Sequence, residues 1–234
     1  MDQVQNYVDT ARVELENPTF YFTKHWLARV TVEKENGLAS VARIDEDFNE
    51  DEVAIYFSVA EELFFLVVNV DTKPEIKASS AWIESGNRAE LTATSTTLNH
   101  QELARGLKLG PLTGWSKGEP ARYGKRNYKF SRVSFRPQEN RAFCFEEALD
   151  NLLTELEKDP EGVRELTLKA DALISFERYQ YFGANAGVEV DAKAINRLAS
   201  LNLGLDLDTY ISSGGLTDQW DSDDPNFRLK RIEK

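Results

Sequence analysis

At 234 residues, with 41% apolar, 11% aromatic and 29% charged side chains, the chain has a globular rather than disordered composition, and is long enough for one large or two small domains. Its longest unbroken apolar run, Leu63 to Val68, falls far short of the ~20 residues of a membrane helix, and Met1-Asp2-Gln3-Val4 does not open a secretory signal. A single cysteine, Cys144, excludes an intrachain disulfide framework and points to a reducing, cytoplasmic setting, while a net charge of −12 sets the whole-molecule field against nucleic acid.

Val4, Tyr7, Val8, Ala11 and Leu15 recur at helical spacing, and Asn17-Pro18 ends that helix. The period then drops to two. Trp26, Ala28, Val30 and Val32 predict a strand running to Asn36-Gly37, whose tolerance of positive φ predicts a tight hairpin into Leu38 to Ile44. Val53, Ile55, Phe57 and Val59 predict a further alternating strand, and Leu63 to Val70 a central one buried on both faces. From Asp71 to Asn87 the pattern breaks at Pro74, Ser79, Ser80 and Gly86, which marks a candidate boundary against which Ile76, Trp82 and Ile83 dock.

The second half alternates strand and helix. Ala89 to Thr96 reads as a strand; Asn99 with Glu102 forms a capping box, Leu98 and Leu103 a hydrophobic staple, and Gly110-Pro111 ends that helix. Tyr123 to Arg136 is strand-like, and Phe145, Leu149, Leu152, Leu153 and Leu156 stripe a long helix. Asp159-Pro160 interrupts before a helical piece carrying Val163, Leu166 and Ala170. Ala172 to Tyr181 is a strand, Asp191 caps a last helix with Ile195, Leu198 and Ala199 towards the core, and Leu205 to Ser212 closes with a strand. The expected fold is α+β: an N-terminal helix with an antiparallel β-rich part (1–75), a connector (76–88), an alternating β/α sandwich domain (89–213) and a tail (214–234) in which Trp220 and Phe227 can pack.

Charge is segregated along the chain. From Lys117 to Arg141 eight bases face two acids, a local +6, whereas the residues before 89 and those after 143 each sum to −9. Such a field can focus an anionic partner or bind the protein's own acidic surfaces. Trp115, Tyr123, Tyr128, Phe130, Phe135 and Phe143 interleave with the cations, as in a single-strand nucleic-acid groove, but strand alternation accounts for the aromatics and is the stronger reading. Gly114-Trp115-Ser116-Lys117-Gly118-Glu119-Pro120 is not a generic turn; an indole plugging the core there leaves Ser116, Lys117 and backbone amides to meet an anion. The expected ligand or partner set is Trp115, Ser116, Lys117, Glu119, Arg122, Lys125, Arg126 and Lys129. Glu46, Asp47, Glu50, Asp51 and Glu52 form the densest acidic group, read as a solvated loop or a face for a basic partner.

No catalytic constellation is evident. His25 and His100 lack a second ligand at metal spacing and read as surface residues, Cys144 sits inert between Phe143 and Phe145, and neither a nucleophile elbow nor a phosphate-binding glycine loop occurs. No catalytic residue, metal or cofactor is therefore expected.

The capped helix followed by Leu107-Lys108-Leu109-Gly110, the Gly114–Pro120 segment, the leucine helix and the ending Leu203-Gly204-Leu205-Asp206-Leu207-Asp208-Thr209-Tyr210 resemble the domain of unknown function 4279 family over about residues 89–213. The resemblance implies a small bacterial, cytoplasmic α/β domain, brings no activity or catalytic residue to transfer, and touches toxin and immunity gene neighbourhoods. The missing catalytic set, the cytoplasmic signals and the acidic surface favour the expectation of a non-catalytic immunity-type inhibitor that occludes a toxin, its partner another, basic protein. The alternative is an anion, nucleotide or nucleic-acid binding module built on the basic 115–129 loop and strand.

Overall fold

The computed structural model describes residues 3–122, 125–182 and 187–212, so the predicted tail lies outside the described residues. Helix α1 (Gln3–Glu16) forms where its apolar stripe predicts and buries Tyr7, Val8 and Ala11. Pro18 stops it, yet the chain re-enters a helix at once in α2 (Tyr21–Leu27), where the alternating pattern predicts a strand from Trp26. The cause is a cap supplied from five residues back. The buried Glu14 carboxylate accepts from the Thr19 amide and hydroxyl and from the Phe20 amide at 2.6–3.2 Å, so the N-cap amide and the residue before it are held at the entry to α2. Trp26 then packs edge-on against Tyr181. Past α2, the chain touches the neighbouring sheet through the bridge Val32–Val59, and β1 (Lys34–Glu35) and β2 (Leu38–Ala39) make the expected hairpin, with Asn36 and Gly37 at φ 52° and 84°.

Strands β3 (Val41–Asn49), β4 (Glu52–Ser58), β5 (Phe65–Asp71) and β6 (Lys77–Glu84) form an antiparallel sheet in chain order. β4 and β5 are buried on both faces because α1 packs over Val53, Ile55, Phe57, Val68 and Val70, while Ala142 meets Tyr56, Phe65 and Val67 on the other side. The stretch that reads as a connector is therefore mostly strand. Ala81 and Ile83 are buried, Trp82 is half-buried, and the polar residues that hide the pattern belong to an edge strand whose register shifts beside Asn69 and Val70.

One residue, Ser85, separates β6 from β7 (Gly86–Ser95), so a single run of chain leaves one sheet and becomes the central strand of another. That second sheet is completed by β8 (Leu112–Trp115), β9 (Ser131–Phe135), β10 (Asp171–Tyr181) and β11 (Gly204–Ser212) in the order β11-β10-β7-β9-β8, parallel only between β10 and β11. Helices α3 (His100–Ala104), α4 (Phe145–Leu156), α5 (Pro160–Lys169) and α6 (Ala192–Ser200) belong to this half, and the core joins Leu91, Val133, Phe135 and Phe176 to the leucine stripe of α4.

Several local expectations change. The capping box at Asn99 and Glu102 is present, but α3 ends at Ala104 rather than at Gly110-Pro111, because Arg105 turns to extended geometry and Gly106 takes φ 97°. Gly114-Trp115 closes a strand instead of lying in a loop, and of the 123–136 stretch only Ser131–Phe135 joins the ladder. In α6, Leu198 is buried as expected while Ile195 is 53% exposed and Ala199 is exposed; the helix sits over the edge strand β11, and Leu201 and Leu203 beyond its end fill the core instead.

Two contacts fix the sheets against each other. A Cβ on Gly86 would lie 1.6 Å from the Leu63 carbonyl oxygen, so the backbones meet where only glycine fits. On the far side Arg43 of β3 holds both oxygens of Glu147 in α4 at 2.9 Å, donates to the Ala142 carbonyl at 2.9 Å, and stacks 4.2 Å from the Phe143 ring. Gly86→Ala is expected to destabilise the fold by about 3 kcal/mol, since a backbone carbonyl cannot rotate aside as a side chain would. Urea denaturation checks this, and a midpoint equal to that of the parent would contradict the close approach.

Candidate functional site

The eight residues predicted to meet a ligand divide into a buried base and an exposed arm. Trp115 at the end of β8 is buried, donates its indole N–H to the Phe130 carbonyl at 3.1 Å, and stacks on Tyr128 with ring centroids 4.4 Å apart and planes 18° from parallel. Arg132 covers the ring at 5.4 Å. Ser116 and Glu119 are engaged locally: the Ser116 hydroxyl accepts from the His100 amide, and the Glu119 carboxylate accepts from the Ser116 amide at 3.0 Å. Gly118 at φ 88° makes the turn, and the chain then runs out and back as two legs, joined by Gly118 N–H to Tyr128 O, Tyr128 N–H to Glu119 O and Ala121 N–H to Arg126 O, each at 2.9 Å. Lys117 donates to the Thr96 carbonyl at 2.9 Å yet stays exposed, as do Arg122, Lys125, Arg126 and Lys129. Beside the base lies an open groove of about 540 Å³ whose lining includes Thr94, Ser95, Thr96, Phe130, Lys169 and Asp171. Tyr123 lies outside the described residues.

The acidic group also forms a defined element, the β3–β4 hairpin. Asn49 Nδ2 donates to Glu52 at 2.8 Å, Ser79 donates to the other Glu52 oxygen, and Asp51 pairs with Lys73 at 2.9 Å. Glu46, Asp47 and Glu50 point to solvent, and Phe48 stacks on Trp82 at 5.6 Å, placing an aromatic pair among the carboxylates.

A third constellation escapes the linear reading. On the face of the second sheet turned away from the α4 core, buried Glu90 of β7 binds Arg132 of β9 and, at 2.9 Å, Arg136, while Arg88 pairs with Glu177 at 2.5 Å and the Tyr179 hydroxyl donates to the same carboxylate at 2.6 Å. Burial pushes the Glu90 carboxyl upwards, but the guanidinium groups of Arg132, Arg136 and Arg88 outweigh it and hold it below its ordinary value. The alternation Arg88-x-Glu90-x-Thr92 against Arg132-x-Ser134-x-Arg136 was the available signal. It means that Arg132 and Arg136, counted in the basic segment, face an internal acid.

The remaining candidates resolve into structural roles. Cys144 precedes α4, half-buried, with burial pushing its thiol up to about 12, so it is protonated at neutral pH. His25 accepts from Arg29 at 3.1 Å on α2 rather than at a strand, and His100, expected to be solvated or hydrogen-bonded, is half-buried with Nε2 unbonded among the described residues. A cavity of about 660 Å³ between α4 and α6 has acidic walls, but Glu147, Asp150 and Asp191 there are held by Arg43, Arg197 and the Ala194 amide. Among the described residues no cluster of three metal-ligating side chains occurs, and no helix is long and apolar enough to cross a membrane.

Residues 84–212 match the family model described as Domain of unknown function (DUF4279), more than half of the chain. The match begins at the last residue of β6 and ends at the last of β11, and so coincides with the second sheet and its helices. No curated protein and no solved structure matches the chain.

Glu90 and Glu147 both titrate below their ordinary 4.5 when folded, so each contributes stability that is present above that pH and is lost as pH falls through the lower, folded value. Melting temperature is expected to hold from neutrality to about pH 5 and to fall below it, with a shallower fall in Glu90→Gln. That variant leaves half-buried Arg132 and Arg136 without their counter-charge and is expected to cost ~1–3 kcal/mol at pH 7 in urea denaturation.

Proposed function

The chain belongs to the DUF4279 family, and on that premise we propose that it is a non-catalytic bacterial binding protein of the immunity type, acting in the cytoplasm by covering the active site of a cognate toxin. The observation that carries this reading is the β3–β4 hairpin. Its tip is braced from within by Asn49, Glu52 and Ser79, and along the chain its outward carboxylates Glu46, Asp47 and Glu50 flank Phe48, which stacks on Trp82. An aromatic anchor inside a charged rim is how protein interfaces concentrate affinity, and the rim raises the rate of encounter with a basic surface. Such a surface is what an enzyme acting on an anionic substrate presents, so occlusion requires charge and shape but no chemical step. The hairpin precedes the family-matched region, which fits a common scaffold carrying a chain-specific recognition element.

Co-expression with a toxin encoded beside the gene is expected to restore growth, and Asp47→Lys with Glu50→Lys to abolish that protection while leaving the melting temperature unchanged. Stopped-flow binding is expected to place most of the loss in the association rate, with a steeper salt dependence in the parent. Full protection by the double variant would sink the assignment of the hairpin, and failure of the parent to bind any such toxin would sink the immunity reading.

A further inference from the structure

A net charge of −12 argues against binding a polyanion only if the acids lie near the contact. The strand registers separate them. Lys77 at the start of β6 pairs with Asp71, Asp71 with Glu52 and Glu52 with Asn49, so the acidic hairpin lies at one end of the run from β6 to β7. At the other end Ser95 pairs with Ser131 and Trp115 with Arg132, and the two basic legs leave from there. The ten residues of β7 alone span roughly 33 Å, about three Debye lengths at 0.1 M salt. The field at the arm is set locally, by Lys117, Arg122, Lys125, Arg126 and Lys129, all exposed, against Glu119, whose carboxylate accepts the Ser116 amide. Two nearby acids are engaged, Glu165 with Lys169 and Glu102 with the Asn99 amide, which leaves exposed Asp171, beside Thr94 in the groove, as one acid against five cations.

The aromatics select the kind of polyanion. Single-strand binders stack bases on exposed rings, but among the described residues Trp115 is buried, Tyr128 stacks on it, and Phe130 is half-buried against the same indole. What the legs offer outwards is cations on a two-stranded ribbon, whose width suits the major groove of B-form DNA and not the narrow one of duplex RNA. We propose that the paired legs 117–122 and 125–129 form a cationic arm that docks on the phosphate backbone of double-stranded DNA without reading its sequence. This inference is independent of the acidic hairpin and its partner.

Fluorescence anisotropy of the full chain with a labelled 20-base-pair DNA duplex tests it. Dissociation constants of about 10⁻⁶ to 10⁻⁴ M are expected at physiological salt, with log affinity falling against log salt at a slope near −4 for four to five phosphate contacts. Lys125→Glu, Arg126→Glu and Lys129→Glu together are expected to weaken binding more than ~10-fold and to reduce the slope by about three, with the melting temperature unchanged because all three side chains are exposed. Asp47→Lys with Glu50→Lys is expected to leave both constant and slope as in the parent. The proposal is overturned if no duplex binding is seen at 50 mM salt, if a single strand or an RNA duplex of the same sequence binds more tightly, if the triple variant binds like the parent, or if polyglutamate binds where the duplex does not.

Discussion

The approach of Gly86 to the Leu63 carbonyl is the constraint from which the remaining geometry follows. With no side chain at that point the chain can leave an antiparallel sheet and, one residue later, run as the middle strand of a second sheet joined to the first. Polar groups gather where the run changes sheet: Asn87 donates to the Phe143 and Ser85 carbonyls, its amide donates to Arg141, and Arg178 reaches the Ser85 hydroxyl. These bonds satisfy backbone groups that would otherwise be stranded between two cores. Arg43 then closes the other side, because its fork meets both oxygens of Glu147 while its plane lies on Phe143. A lysine has neither the fork nor the plane, so the joint depends on arginine in particular.

Glu90 has a different role in the second sheet. A buried ion pair is weak support for stability compared with apolar packing, but it penalises wrong pairings heavily. Leu91 pairs with Phe135 and Thr92 with Ser134, which puts Glu90 within reach of Arg132 and Arg136 on one face and Val133 and Phe135 among the leucines on the other. A one-residue slip would turn the arginines into the apolar core and strand the carboxylate. The charged face therefore specifies register at β7, the central strand of the second sheet.

Where cause and effect were close in sequence, the chain could be read directly: α1 with its stop at Pro18, the Asn36-Gly37 hairpin, the Asn99–Glu102 box and the leucine stripe of α4. The failures have distant causes. α2 depends on the Glu14 carboxylate folding back under Thr19, and β6 is a strand because β5 is beside it, not because its own residues alternate. The same distinction holds at the candidate sites. Trp115 could be recognised as an anchor from its odd setting, whereas its stack on Tyr128 and the pairing of Arg132 and Arg136 with Glu90 are cross-strand facts with no local signature.

Total charge is consequently a poor guide to what this protein can approach. Among the described residues, a partner at the arm meets Lys117, Arg122, Lys125, Arg126 and Lys129 with Glu119 and Asp171 beside them, and a partner at the β3–β4 hairpin meets mostly carboxylates. The overall −12 governs solubility and long-range drift, while each pole governs its own contact. Because β7 separates the poles by more than the reach of a side chain, occupying one does not remove the other, and the two proposed partners, a basic protein and a DNA duplex, would not compete for a side chain. The two proposed contacts are then additive in free energy, since neither shares a side chain or a charge partner with the other.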